Sequence, residues 1–132
     1  RRSALTERRE GFLKLAKSLS IYPAEASRLV NQYSGGNQQK ILLAKWMAVD
    51  PRLLILDEPT RGVDVGAKQL IHDVIGQLAD QGMSILLITS DLPELVELAD
   101  RVLILRKGHL VREMESGFTE DSVLLAANGE QE

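Results

Sequence analysis

Two short runs hold residue types and spacings suited to phosphate chemistry. In one, the apolar residues Leu53-Leu54-Ile55-Leu56 are followed at once by Asp57-Glu58-Pro59. A continuous apolar run of this length reads as a strand buried on both faces, and parallel sheets bind their ligands at the C-terminal ends of such strands. A carboxylate delivered there, Asp57, can hold the Mg²⁺ of a nucleotide, usually through water. Glu58, one residue on, can orient or polarise an attacking water. The plainer alternative is a strand that ends in a polar turn, where Asp and Pro are common anyway.

The other run is Ser34-Gly35-Gly36-Asn37-Gln38-Gln39-Lys40. Two glycines let a backbone approach a ligand closely. A helix starting just after them offers free N–H groups and the positive end of its dipole. With the Ser34 hydroxyl as a further donor, the set suits a γ-phosphate. The alternative is a helix N-cap with a flexible entry.

The elements that must position these runs follow from periodicity. Leu5, Phe12, Leu15, Ala16 and Leu19 recur at helical spacing, which predicts a helix over 4–19. Pro23-Ala24-Glu25 predicts the start of a second short helix running to about Asn31, with Pro tolerated in the first turn. A helix over 38–49 is stopped by Asp50-Pro51. After the strand at 53–56, residues 65–80 form an amphipathic helix with Leu70, Ile71, Val74, Ile75 and Leu78 on one face, ended by Gly82. A second buried strand spans 84–89 and a short helix 92–98. Strands over 101–105 and 109–113 are joined by Lys107-Gly108, a hairpin turn. A last helix covers 119–127, before a polar tail at 128–132. The alternation of strands and helices points to an α/β parallel sheet covered by helices, preceded by a purely helical stretch that could form a separate lobe.

In their order and spacing the two runs resemble the signature motif and the Walker B motif of ABC ATPases. Thr60-Arg61-Gly62-Val63-Asp64 resembles the D-loop, with Asp64 as its aspartate. Ile88-Thr89-Ser90-Asp91 stands where that family has its switch segment. Asp100-Arg101-Val102, followed by Lys107-Gly108, is similar to the strand and turn beyond it. The signature run and the stretch Asp57-Glu58-Pro59-Thr60-Arg61-Gly62-Val63-Asp64-Val65-Gly66-Ala67-Lys68 resemble the second ATPase half of the ribose, xylose and galactose importer ATPases, which fuse two halves in one chain. The resemblance implies a partial P-loop NTPase fold: a helical subdomain and signature helix over about 1–50, then Walker B, D-loop, switch segment and C-terminal hairpin and helix over about 51–132.

It further implies ATP and Mg²⁺ as cofactors, and two nucleotides bound between halves set head to tail. Ser34, Gly35, Gly36, Asn37, Gln38 and Asp64 are then the nucleotide-contacting residues, the signature completing the site built on the partner half. Asp57 holds the metal, and Glu58 and Ser90 act in this half's own site. The implied partners are the first ATPase half of the same chain or a second copy, a membrane permease and, indirectly, a periplasmic sugar-binding protein. The place of work is the cytoplasmic face of the bacterial inner membrane. The sugar itself is not encoded here, because specificity in such systems lies in the binding protein and permease. A non-transport ABC ATPase of DNA repair or translation, and a non-catalytic interaction module, are the alternatives.

Two residues depart from the family pattern. Tyr33 stands where the signature usually has Leu, in a position expected to pack. Ser90 stands where most members have a histidine. A serine lacks the reach and charge of imidazole, which implies weak hydrolysis at the site it serves, and the second half of sugar importers often has serine there. The phosphate-binding Walker A loop, G-x-x-x-x-G-K-[ST], is not in this sequence. Gly62-Val63-Asp64-Val65-Gly66-Ala67-Lys68 is a decoy, because its Lys does not follow the Gly directly and Gln69 replaces Ser or Thr. Without the loop's N–H groups and lysine, this chain alone is expected to hold no ATP. By the same resemblance a strand is missing between 84–89 and 101–105. The exposed edge would then close by rearrangement or pair with a second copy.

Composition sets outer bounds. With 132 residues, 44% hydrophobic and 27% charged, the chain has an ordinary globular balance. A net charge of −3 speaks against a nucleic-acid partner, whose binding domains are usually basic. There is no cysteine, hence no disulfide framework or thiolate metal site, which suits a reducing compartment. No apolar run approaches the roughly 18–20 residues of a membrane span, and no signal peptide follows the arginines at the start. Arg1 in place of Met implies a trimmed chain, and the acidic tail suits a natural C-terminus. His72 and His109 have no ligand-spaced partner. Arg1-Arg2 and Arg8-Arg9 read as a solvated helix face.

Overall fold

The computed structural model describes residues 3–49 and 51–129. The elements are α1 (Ala4–Ser18), a 3-10 turn (Val30–Gln32), α2 (Gly35–Met47), β1 (Leu53–Asp57), α3 (Val65–Asp80), β2 (Ser84–Ile88), α4 (Leu92–Leu98), β3 (Val102–Arg106), β4 (His109–Met114) and α5 (Glu120–Asn128). They fall into two compact units. Of the described residues, the first holds those up to Ile55 and Pro59–Leu86; the second holds Leu56–Glu58 and those from Leu87 onward.

In the first unit α1 packs on α2, and α2 on α3. Ser3 caps α1 by accepting the N–H of Thr6, and the helix buries Ala16, with Leu19 and Ile21 beyond its end, while Leu5 stays 72% exposed. Leu43 and Ala44 of α2 and Ile71, Val74, Ile75 and Leu78 of α3 complete the core, but Leu70 lies outside it, 45% exposed. Gly82 ends α3 at φ 90°, a left-handed position that favours glycine. His72 is buried within α3 and engaged there.

The second helix expected from Pro23 does not form. Residues 22–29 run through turns, with Glu25 N–H donating to Pro23 O and Arg28 N–H to Glu25 O. Side chains from elsewhere bind the backbone within this stretch and just before it: Tyr33 Oη donates to Glu25 O, Lys40 Nζ to Ser20 O, and Asn37 Oδ1 accepts the N–H of Tyr22. Tertiary bonds thus override local propensity.

β1 and β2 lie side by side in a two-stranded parallel sheet joined through α3. The expected burial on both faces is not observed. Leu54 and Leu56 are buried, whereas Leu53 and Ile55 are 53% and 58% exposed. β2 likewise leaves Leu86 and Ile88 nearly half exposed. Residues on alternate sides of a strand face opposite ways, and among the described residues the second face of this sheet has no covering layer.

In the second unit β3 does not extend the parallel sheet. It pairs antiparallel with β4, Arg106 opposite His109, with a bulge between Ile104 and Leu105. Lys107 and Gly108 turn the hairpin with φ of 48° and 79°, the pair of positive values a type I′ turn needs. Val102 and Ile104 form a core with Val123 and Ala126 of α5, flanked by Leu92, Leu95 and Phe118. Thr119, expected inside the last helix, is its N-cap in a capping box with Ser122. The stop at Asp50 and the tail from 130 onward lie outside the described residues.

Candidate functional site

The signature run begins α2 rather than preceding it. Ser34 is the N-cap (φ −60°, ψ 156°), and both glycines are helical. Ser34 Oγ accepts the Asn37 N–H at 3.5 Å and Asn37 Nδ2 at 2.9 Å, while Ser34 O accepts the Gln38 N–H at 2.9 Å. The first N–H groups of the helix thus emerge at Gly35 and Gly36, where a helix has no partners of its own.

The two glycines are not equivalent. A Cβ built on Gly35 meets nothing within 4 Å, whereas one on Gly36 collides with the Cβ of Ala67 in α3. Gly36 is buried. Its missing side chain lets α2 and α3 approach; that of Gly35 leaves open space beside an exposed Ser34. Of the two, only Gly35 has the room for close ligand approach that both suggested in sequence.

Asn37 and Gln38 direct their side chains into the chain. Asn37 joins Ser34 to the Tyr22 backbone, and Gln38 Nε2 donates to Tyr33 O at 2.8 Å. Tyr33 packs as expected, 6% exposed, and does more. Its hydroxyl donates to Glu25 O at 3.0 Å, and the Arg28 guanidinium lies 5.1 Å from its ring centre. Lys40 is the residue sequence reasoning passed over. It is 3% exposed, its Nζ donating to Ser20 O at 3.0 Å; burial lowers its pKa below the usual lysine value. Only its helical spacing from Gly36, an i, i+4 pair on the buried face, could have signalled this. Asp64 is the N-cap of α3, its Oδ1 accepting the Ala67 N–H at 2.9 Å.

The second constellation belongs to the other unit. Asp57 ends β1 with its side chain exposed. Glu58 follows at φ 48°, a conformation uncommon for a residue with a Cβ and one that invites a search for function. Two bonds hold it. Its N–H donates to Ile88 O at 2.8 Å, and its Oε1 accepts the Ser90 N–H at 3.0 Å. The switch residue therefore meets the carboxylate through its main chain. Ser90 is anchored between Thr89, whose Oγ1 accepts the Asp91 N–H, and Asp91, which caps α4 by accepting the N–H of Glu94. Sequence reasoning placed Glu58 and Ser90 in one site and weighed Ser90 by its side chain; the contact between them is made by the Ser90 main-chain N–H.

Comparison with known proteins bears on both constellations. The ABC transporter family model matches residues 4–61, the stretch from α1 through the carboxylates. The chain is 46% identical over 97% of its length to ribose import ATP-binding protein RbsA 2 of Streptomyces avermitilis, covering 26% of that protein. It is 47% identical over 92% of its length to ribose import ATP-binding protein RbsA 1 of Streptomyces coelicolor, covering 24%.

The chain is a segment of an ABC transporter ATPase domain.

The fold of this ABC ATPase segment agrees. It is similar to the dimeric bacterial ABC transporter cassette MJ0796, at 28% identity and a TM-score of 0.75, over 89% of this chain and 51% of that one. The segment spans about a quarter of the length of the curated relatives it matches. Among the described residues no helix is long and apolar enough to cross a membrane, and no three His, Cys, Asp or Glu are grouped to hold a metal ion.

Proposed function

We propose that the intact protein is the ATP-binding subunit of a bacterial monosaccharide importer, coupling ATP hydrolysis to sugar uptake. This segment presents Ser34, Gly35 and the start of α2 to a nucleotide held by another ATPase half, with Gly36 setting the helix and Asn37 and Gln38 fixing its entry. Asp64, the N-cap of α3, is the D-loop aspartate. Asp57, Glu58 and Ser90 serve the nucleotide of this half. Mg²⁺ is usually held by one or two carboxylates together with phosphates and water, and the single exposed carboxylate of Asp57 suits that role. The metal would neutralise phosphate charge. Glu58, held by the Ser90 N–H, would orient water. The carrying observation is the open, donor-rich corner at Ser34 and Gly35 in a chain whose relatives are named as ribose import ATP-binding proteins. The cassette MJ0796 has also been captured as a dimer with ADP and Pi, which supports pairing of halves around nucleotide.

The test is purification of the full-length protein with its membrane partner, followed by ATPase measurement in liposomes. A copurifying permease and stimulation by sugar-loaded binding protein are expected. Stimulation by DNA or ribosomes, with no permease, would overturn the reading. The isolated segment is proposed to bind no ATP on its own and to pair with a second copy through the open edge of β2. Light scattering that gives a strict monomer refutes the pairing.

A further inference from the structure

We infer that Asn37 is a positioning residue that turns the Ser34 hydroxyl proton outward, so that Ser34 acts as a hydrogen-bond donor to a phosphate oxygen. This rests on the reading of Ser34 as a nucleotide contact and sharpens it. A carboxamide has an acceptor end and a donor end, and which faces which neighbour is decided by the neighbours. Here Tyr22 decides. Its backbone N–H lies 3.1 Å from Asn37 Oδ1, and an N–H can meet only the oxygen end. The NH₂ end therefore faces Ser34, and Nδ2 donates to Oγ at 2.9 Å. The Asn37 backbone N–H reaches the same oxygen at 3.5 Å.

A serine hydroxyl has two acceptor lone pairs and one proton. With both donors of Asn37 aimed at the lone pairs, the proton points away from Asn37. Ser34 and Gly35 are both exposed, and nothing stands within 4 Å of the Gly35 Cβ position. The hydroxyl is thus set as a donor beside the free N–H groups that start α2, and an anion there meets donors of one sense. The chain of causes runs from the Tyr22 backbone through one amide to one proton.

Asn37→Asp separates this role from the clamp on Tyr22. An Asp oxygen still accepts the Tyr22 N–H, but the other oxygen accepts rather than donates and draws the Ser34 proton inward. The experiment is a double-mutant cycle on ATP turnover in the full-length transporter, read as kcat/KM for ATP. Ser34→Ala and Asn37→Asp are each expected to lower it about tenfold, the scale of a hydrogen bond to a charged group. In the Ser34→Ala background Asn37→Asp should cost less than about twofold, since coupled residues are not additive. In a Ser34→Thr background, which keeps a hydroxyl, the tenfold cost should return. An Asn37→Asp penalty of equal size with and without the hydroxyl would overturn the inference, because charge repulsion or lost structure needs no serine. An unchanged kcat/KM in Ser34→Ala would instead remove the underlying reading. Should Asn37→Asp fail to fold, Asn37→Ala takes its place; it also gives up the Tyr22 bond, so its penalty in the Ser34→Ala background measures that clamp, a larger penalty with the hydroxyl present supports the inference, and an equal one overturns it.

Discussion

Gly36→Ala tests whether the second glycine of the signature is there for the protein rather than for a ligand. The added methyl meets the Cβ of Ala67, which has no rotamer through which to retreat, so α2 and α3 must separate. Overpacking of this kind costs about 1–3 kcal/mol. Replacing a helical glycine by alanine returns up to about 1 kcal/mol of propensity, which blurs the single measurement. Gly35→Ala removes the blur. It gains a similar propensity one residue earlier and meets open space, so the difference between the two variants isolates the clash at about 1–3 kcal/mol. Unfolding of the full-length protein in guanidinium is the assay, with Ala67→Gly as the partner substitution. The double variant Gly36→Ala with Ala67→Gly should recover most of the clash, less about 1 kcal/mol for the new helical glycine. Equal stability of Gly35→Ala and Gly36→Ala, or no rescue by Ala67→Gly, would refute the packing role.

Two further outcomes follow from the same unit. Tyr33→Phe deletes the bond to Glu25 O and should lower stability by about 1 kcal/mol, measurable by the same unfolding assay; no change would mean that the 22–29 turns are held otherwise. Lys40, whose pKa is lowered by burial, makes the unfolded state bind more protons between the folded pKa and the usual lysine value. Stability should therefore rise with pH through that window. Lys40→Met should flatten the rise in a pH series of unfolding midpoints, and a rise of equal size in the variant would contradict the assignment.

Much of this was legible in the sequence. α3 and α4 lie where periodicity put them, and the Lys107-Gly108 turn supplied the positive φ values its residue types foretold. Asp57 and Glu58 stand at the end of β1 because an apolar run stops there. What was not legible depends on partners distant in sequence. The turns at 22–29 are held by Tyr33 and Asn37, and the chain entering them by Lys40 at Ser20 O, a reach no local pattern reveals. The difference between Gly35 and Gly36 depends on the methyl group of Ala67, far along the chain in α3. The apolar run of β1 signalled two buried faces, yet Leu53 and Ile55 are exposed, because a strand records the layers it was made for and this segment has only some of them. Ser90 was read by its side chain, whereas the contact to Glu58 is made by a main-chain N–H that any residue but proline supplies.

We propose that this segment lends its signature corner to a nucleotide bound elsewhere and keeps the weaker carboxylate site for itself. Sugar uptake and ATP hydrolysis by the reconstituted transporter, compared between Gly35→Asp and Glu58→Gln, test it most directly. Gly35→Asp fills the open corner with a carboxylate and should abolish both activities. Glu58→Gln keeps an oxygen for the Ser90 N–H and should leave a substantial share of each. Equal loss in the two variants would contradict the account.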